Sequence, residues 1–300
     1  MPTAEQNRTR TVWLTALALI AFAANSLLCR LALAQPSFGK PAIDAASFSL
    51  IRLASGAITL WLIVVLFQQK NGEKSAKQLD GNWFSALMLF LYVVGFSFAY
   101  LSLSAGVGAL ILFGAVQATM LFSAILSGER PYHVEWFGLL LALAGLVYLV
   151  LPGLAAPPLS GSIFMTIAGV AWGFYSLLGR GVTSPLAATT GNFARAVPLV
   201  TVVFVLSFKH VHISTAGALP AMLSGALASG VGYAVWYAAL RGLSAARAAT
   251  LQLAVPVLAA MGGVLFLSEA ISLRLIVAAL MILGGVGLAV LGREYLIRKA

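Results

Sequence analysis

Ten runs of predominantly apolar residues follow one another along this chain with only short polar breaks between them, at 12–34, 45–68, 82–103, 107–127, 133–151, 160–179, 189–208, 216–240, 246–267 and 271–292. Each is close to the length of about 20 residues that an α-helix needs to cross the hydrocarbon core of a bilayer. In hydrocarbon every peptide group must find its partner within the segment, which leaves helices or closed barrels as the spanning structures. The pattern therefore predicts an all-α, polytopic membrane protein with ten transmembrane helices. The longest break, Gln68 to Asn82, is only a loop, so little chain remains for an extramembrane domain. Charged residues make up 9% of the 300, against about 25% in a soluble domain. That excludes a water-soluble enzyme or a nucleic-acid-binding module.

Net charge is +10, and in a membrane protein anionic lipid headgroups are its natural counter-charge. The loops on the side of both termini collect Arg8, Arg10, Lys70, Lys74, Lys77, Arg130, Arg180, Arg241, Arg247, Arg293, Arg298 and Lys299, while the opposite loops hold Lys40, Lys209 and Arg274. The positive-inside rule then puts both ends in the cytoplasm. Arg8 and Arg10 ahead of an apolar stretch resemble a signal peptide, but the run is long and contains Asn25 and Arg30, so it is read as the first helix. The single cysteine, Cys29, permits no intrachain disulfide and no thiolate metal cluster. No cofactor signature is present.

Ser26-Leu-Leu-Cys-Arg30 near the end of the first span is echoed 150 residues later by Ser176-Leu-Leu-Gly-Arg180 near the end of the sixth. Phe48-Ser-Leu-Ile-Arg52 resembles Gly191-Asn-Phe-Ala-Arg195, and Leu126-Ser-Gly-Glu129 resembles Phe266-Leu-Ser-Glu269, in the same order. Three echoes in register point to a duplicated five-helix unit, residues 1–153 and 154–300. Five is odd, so the second copy enters the membrane from the opposite face. The expected architecture is two inverted five-helix repeats with a substrate site near the midplane between them, an arrangement that permits alternating access.

Tyr237-Ala-Ala-Leu240, Ala254-Val-Pro256-Val and Leu267-Ser-Glu269 resemble the EamA-type repeat of the drug/metabolite transporter superfamily, as does the Ser244-Ala-Ala between them. The first half is similar through Tyr100-Leu-Ser-Leu103, Gly108-Ala-Leu and Ser127-Gly-Glu-Arg130, with Gln117 where the second half has Pro256. Aromatic-rich helices without mid-membrane acids look most like the YddG-type aromatic amino-acid exporters. The resemblance implies a small-molecule substrate and an inner-membrane location.

Helical periodicity puts Phe22, Asn25, Ser26 and Cys29 on one face of the first span, and Trp172, Tyr175, Ser176 and Gly179 on the equivalent face of the sixth. Lipid does not favour such a mixture of aromatic and polar groups, since an unpaired amide in hydrocarbon costs several kcal/mol. A cavity wall satisfies it, and interhelical hydrogen bonding that merely glues the bundle is the competing reading. Tyr92, Phe96 and Tyr100 in the third span join the candidate set, and so do Tyr233, Trp236 and Tyr237 if the eighth helix extends through Leu240. Trp13, Trp61, Trp83 and Trp136 sit at span ends and read as interfacial anchors. Gln117 and Gln252 lie deep in spans and need partners. Pro256 removes a backbone donor and either frees a carbonyl near Gln252 for a ligand or simply kinks the helix.

Arg52 and Arg195 could meet a substrate carboxylate, although snorkelling or stapling of helices is favoured, and Arg30 and Arg180 invite the same reading. Glu129 and Glu269 are expected to cap the next helix or to bridge to Arg130, with a gate lock the lesser reading. All eight acids, Glu5, Asp44, Glu73, Asp80, Glu129, Glu135, Glu269 and Glu294, fall in loops or at span ends, which disfavours a proton-coupled drug pump. The sequence thus supports an exporter of amino acids, aromatic and other apolar ones foremost, moving them down their own gradient. The alternative is an exporter of drug-like cations or other small metabolites. No HExxH motif, mid-membrane acid pair or Ser-His couple supports an enzyme. Gly138-xxx-Ala142 and Gly285-xxx-Ala289 permit close helix approach, in a monomer or a homodimer.

Overall fold

Among the described residues each apolar run contains helix, and the helix ends are set by local capping that hydropathy does not report. The computed structural model describes residues 4–34, 41–70, 80–126, 132–151, 156–179, 182–243, 248 and 251–299. The helices are α1 (Ala4–Leu33), α2 (Ala45–Lys70), α3 (Trp83–Ala99), α4 (Ala105–Leu126), α5 (His133–Val150), α6 (Leu159–Leu178) and α7 (Pro185–Leu206). They continue with α8 (Thr215–Leu240), α9 (Ala254–Leu267) and α10 (Leu273–Lys299). Among the described residues six are long and apolar enough to cross a membrane, and α3, α4, α9 and α10 carry shorter apolar stretches.

Several boundaries differ from the hydropathy reading for physical reasons. Helices α1 and α10 run beyond their apolar runs through Glu5, Arg8 and Arg10 at one end and Arg293 to Lys299 at the other. Those residues form helix well, and hydropathy sees only the part that suits lipid. Helix α3 ends at Ala99 rather than 103, because the chain turns there and Ser104 begins α4, accepting from the Val107 and Gly108 amides. The helical hydrogen bonding is interrupted just before Pro256: Leu253, right-handed helical in its backbone (φ -64, ψ -17), separates the helical Leu251 and Gln252 from α9, which starts at Ala254 with Pro256 in its first turn.

Helix α8 contains a π-helical segment, Ser224–Val231 (SGALASGV). Its small residues bring the backbone against α2, where a Cβ on Gly225 would overlap the Arg52 carbonyl and Ser55, and one on Gly230 would crowd Thr59 at 3.0 Å. π-segments in α-helices concentrate at functional sites, and this one donates from Ser224 and Ser229 to Asn25 of α1.

The principal pairings are α1 with α8 and α9, α6 with α3 and α4, α2 with α7 and α8, α7 with α3, α4 with α9, and α5 with α10. Exchanging each helix for the one five later reproduces this set. Trp13, Trp61, Trp83 and Trp136 are all exposed on the outer surface, whereas Trp236 is buried. In α5 and α10 the small-residue stripes face each other within the chain: a Cβ on Gly138 would overlap the Gly285 carbonyl, and one on Gly285 the Gly138 carbonyl. Gly138→Leu is therefore expected to force these helices apart and to lower the midpoint of thermal unfolding in detergent by roughly 5–10 °C, as steric overpacking of about 1–3 kcal/mol would. An unchanged midpoint would mean that the helix pair is not needed for stability.

Candidate functional site

A cavity of about 450 Å³ opens among α1, α3, α4, α6, α7 and α8. Its inner wall is aromatic. Trp172 of α6 stacks on Tyr175 of the same helix (centroids 5.3 Å, 25°) and on Tyr233 of α8 (5.6 Å, 21°), and it meets Tyr92 of α3 at 4.7 Å. Phe22 of α1 packs on Tyr233 and Trp236, each at 5.7 Å. Rings so arranged present faces and edges to a ligand and hold one another in place.

Polar groups are set into this wall. The amide oxygen of Asn25 accepts from Ser224 Oγ (2.7 Å) and Ser229 Oγ (3.3 Å), both in the π segment. With Oδ1 occupied, Asn25 has its NH2 donors to offer the cavity. Thr189 of α7 shares a 2.7 Å hydrogen bond with the Tyr237 hydroxyl and accepts from Tyr175 at 3.4 Å, so a hydroxyl cluster ties α6, α7 and α8 together. Asp80, Asn82 and Gly179 line the exposed mouth. There the end of the α2–α3 loop is fastened to α7: the Asn82 amide donates to Asn192 Oδ1 (3.0 Å), and Arg195 Nη1 donates to the Asp80 carbonyl (2.9 Å). Gly81, at φ +94, makes this turn, and a Cβ on it would overlap Asn192.

The opposite end is shut. Arg30 at the end of α1 donates from Nε to Glu269 Oε1 (3.2 Å) and from Nη1 to the Tyr100 carbonyl (3.1 Å). The first amide of α4, Ala105 N–H, donates to both Glu269 oxygens at 2.9 and 3.1 Å. A carboxylate at a helix N-terminus also meets the positive end of the helix dipole. Glu269 is aimed there by the left-handed Ser268 (φ 54) that ends α9. Beside this tie, Ile43 and Ile213 form an antiparallel bridge, and the Asp44 carboxylate accepts from His212 N–H (2.9 Å). Glu269 thus caps α4 rather than the following helix. Glu129, Arg130, Arg180 and Ser244 lie outside the described residues.

The chain is 49% identical to an uncharacterized protein of Pseudomonas aeruginosa over 93% of its length and 94% of that protein's. It is 26% identical to an uncharacterized transporter of Archaeoglobus fulgidus, covering 81% of this chain and 85% of that one. A solved crystal structure shares the fold with a TM-score of 0.61 at 23% identity, over 92% of this chain and 98% of that chain. The EamA-like transporter family matches residues 159–291. The chain belongs to the EamA-like transporter family. It is accordingly a multi-pass membrane protein, and its family is one of transporters, not enzymes.

In this EamA-like transporter the residues singled out from sequence divide by depth. Phe22, Asn25, Ser26, Tyr92, Phe96, Trp172, Tyr175, Ser176, Tyr233, Trp236, Tyr237 and Gln252 all line the cavity. Helix α8 does run through Leu240, which carries its aromatic residues to the cavity. Tyr100 and Gln117 are not in the lining. Tyr100 is fully buried below the floor, its hydroxyl donating to the Ala105 carbonyl (3.2 Å) and its ring filling the space left by Gly108. Gln117 sits half-buried on α4, one turn beyond the lining residue Phe113. Cys29 is buried behind the wall. Thr189 and Asn192 were missed from sequence: short polar residues at the start of an apolar span look like caps until the cavity is seen to end there.

Proposed function

We propose that this protein is a bacterial inner-membrane exporter of amino acids, aromatic and other apolar ones foremost, working by alternating access between two inverted five-helix repeats of a ten-span bundle. The observation that carries the substrate class is the cavity wall, where stacked aromatic rings surround amide and hydroxyl groups. Its volume of about 450 Å³ falls within the roughly 300–1,000 Å³ of small-ligand sites. An ammonium finds aromatic faces there, and the side chain of an apolar amino acid finds rings to stack on. The exchange symmetry of the helix pairings supports the two-repeat reading. The excess of basic residues on the side of the mouth supports a cytoplasmic opening, so the molecule is read as facing the cytoplasm with its far side locked.

Among the described residues Asp80 is the acid in the cavity lining, and it lies exposed at the mouth with its carboxylate accepting from the Gly81 amide (2.8 Å). A uniport-like cycle follows from that placement, since a proton-coupled pump needs a carboxylate the substrate can displace. The competing reading is proton-coupled export of drug-like cations or other metabolites. Proteoliposome uptake of labelled tryptophan, phenylalanine and methionine, driven by their own gradients and then with an imposed pH gradient, separates the two. Amino-acid flux indifferent to the pH gradient is expected. Flux that requires it overturns the uniport, and flux of none of the three passes the assignment to the alternative. Asn25→Ala and Tyr237→Ala should each lower uptake about tenfold, a loss of the order of one hydrogen bond or ring contact, and full transport in both would end the cavity assignment.

A further inference from the structure

Arg52 is the largest fully buried side chain among the described residues. Its Nη2 donates to the Tyr92 hydroxyl at 3.0 Å, and its guanidinium carbon lies 4.8 Å from the Phe96 ring centroid and 5.3 Å from that of Tyr92. Nε and Nη1 are buried and meet no protein acceptor. The rings offset part of the charge by cation–π attraction, but they cannot satisfy in-plane N–H donors. The acids described elsewhere are committed: Glu269 to Arg30 and α4, Asp44 to Ser47 and His212, Asp80 to the mouth, Glu135 to the Tyr132 amide. The equivalent arginine of the second half, Arg195, behaves differently, because it staples the mouth through the Asp80 carbonyl. One arginine of the matched pair is a staple; the other is a desolvated cation separated from the cavity by the two rings that line it.

We propose that Arg52 is the carboxylate seat of the transport cycle, reached when the Tyr92 and Phe96 side chains swing aside. The proposal rests on the amino-acid reading for the rest of the ligand. Nη2 carries a second N–H beyond the one given to Tyr92, so a carboxylate can accept in the guanidinium plane from Nη2 together with one of the unpartnered nitrogens, along the Nε–Nη2 or the Nη1–Nη2 edge. A seated amino acid then has its carboxylate on Arg52 and its side chain among the rings of Trp172 and Tyr233. The protein is selective for a carboxylate, and a bare amine lacks the group that neutralises the buried charge.

Isothermal titration of the full chain in lipid nanodiscs with tryptophan, indole-3-propionate and tryptamine tests this. Tryptophan and indole-3-propionate are expected to bind at least tenfold more tightly than tryptamine. R52Q should reduce that ratio to within twofold while leaving tryptamine affinity in place, and R52K should keep the order with a smaller ratio. Wild-type protein that binds tryptamine as tightly as indole-3-propionate overturns the proposal without touching the transporter reading, as does an R52Q variant that keeps the tenfold ratio. If R52Q does not fold, the wild-type ratio and R52K decide. Binding of none of the three ends the aromatic amino-acid reading instead. Hexanoate against hexanamide then reads Arg52 directly, and equal affinities for that pair overturn the carboxylate seat.

Discussion

Glu269→Ala is expected to open the closed end of the molecule. The carboxylate is 14% exposed and gathers three interactions, the Arg30 guanidinium and two from the first amide of α4. Hydrogen bonds to a charged group contribute about 1.5–3 kcal/mol each when one partner is deleted, and the sharing of one amide and the residual exposure bring the total toward about 2–3 kcal/mol. A bias of that size moves a two-state equilibrium roughly 30- to 150-fold. The position is not a simple surface pair. Glu269 belongs to the second half and Ala105 to the first, so the tie exists only while that end is shut. Spin labels at Ser102 and Ile271, in a Cys29→Ser background, should show a longer and broader distance distribution in the variant. Glu269→Gln, which keeps an acceptor for Ala105 but loses the ion pair, should fall between. A distribution unchanged in both variants would show that the Ile43–Ile213 bridge and the Asp44 contacts hold that end closed unaided.

Trp172→Ala is the second large effect. The indole meets three aromatic rings, those of Tyr92, Tyr175 and Tyr233, and aromatic pairs contribute about 0.5–1.5 kcal/mol each beyond the area they bury. Its removal also leaves Tyr92 without the ring that holds it over Arg52. Helix α6 itself should persist, because Gly169 and Gly173 seat it on α4 through close backbone contacts that do not involve the indole. The expected result is folded protein with uptake of aromatic substrates reduced by about 100-fold, equivalent to roughly 2.7 kcal/mol. Trp172→Phe should recover most of the flux by restoring a stacking ring. Wild-type uptake in Trp172→Ala would remove the aromatic wall from the substrate path.

Much of the site was legible because helical periodicity fixes direction around an axis. Phe22, Asn25 and Ser26 share a face by spacing alone, and so do Trp172, Tyr175 and Ser176 at the matched positions. All six meet in the cavity. Periodicity does not fix depth along the axis. Tyr92, Phe96 and Tyr100 form one stripe, yet the first two line the cavity while Tyr100 lies under its floor, with Arg30 bonded to its carbonyl. Gln117 fails for the same reason, standing one turn past the level at which α4 meets the cavity. The four exposed tryptophans and the buried Trp236 were separable because span ends and span interiors differ in hydropathy.

Long-range partners had no local trace. Glu269 is 164 positions from Ala105 and 239 from Arg30, and nothing in its neighbourhood distinguishes capping α4 from capping α10. Arg52 and Arg195 look equivalent in sequence, but the packing of α3 against α2 sets the Arg52 guanidinium on the Tyr92 and Phe96 rings, whereas Arg195 reaches the Asp80 carbonyl.

Composition and spacing within a single span were enough to assign the solvent of this chain, the helical answer that lipid forces on its backbone, and the helix faces that mix aromatic with polar groups. Only the assembled bundle sets which level of each face is open, which end is locked, and which buried guanidinium keeps two nitrogens without an acceptor. Those are properties of side chains from distant segments brought together, and they depend on how far each helix slides along its neighbours, a quantity that no pattern within one helix records.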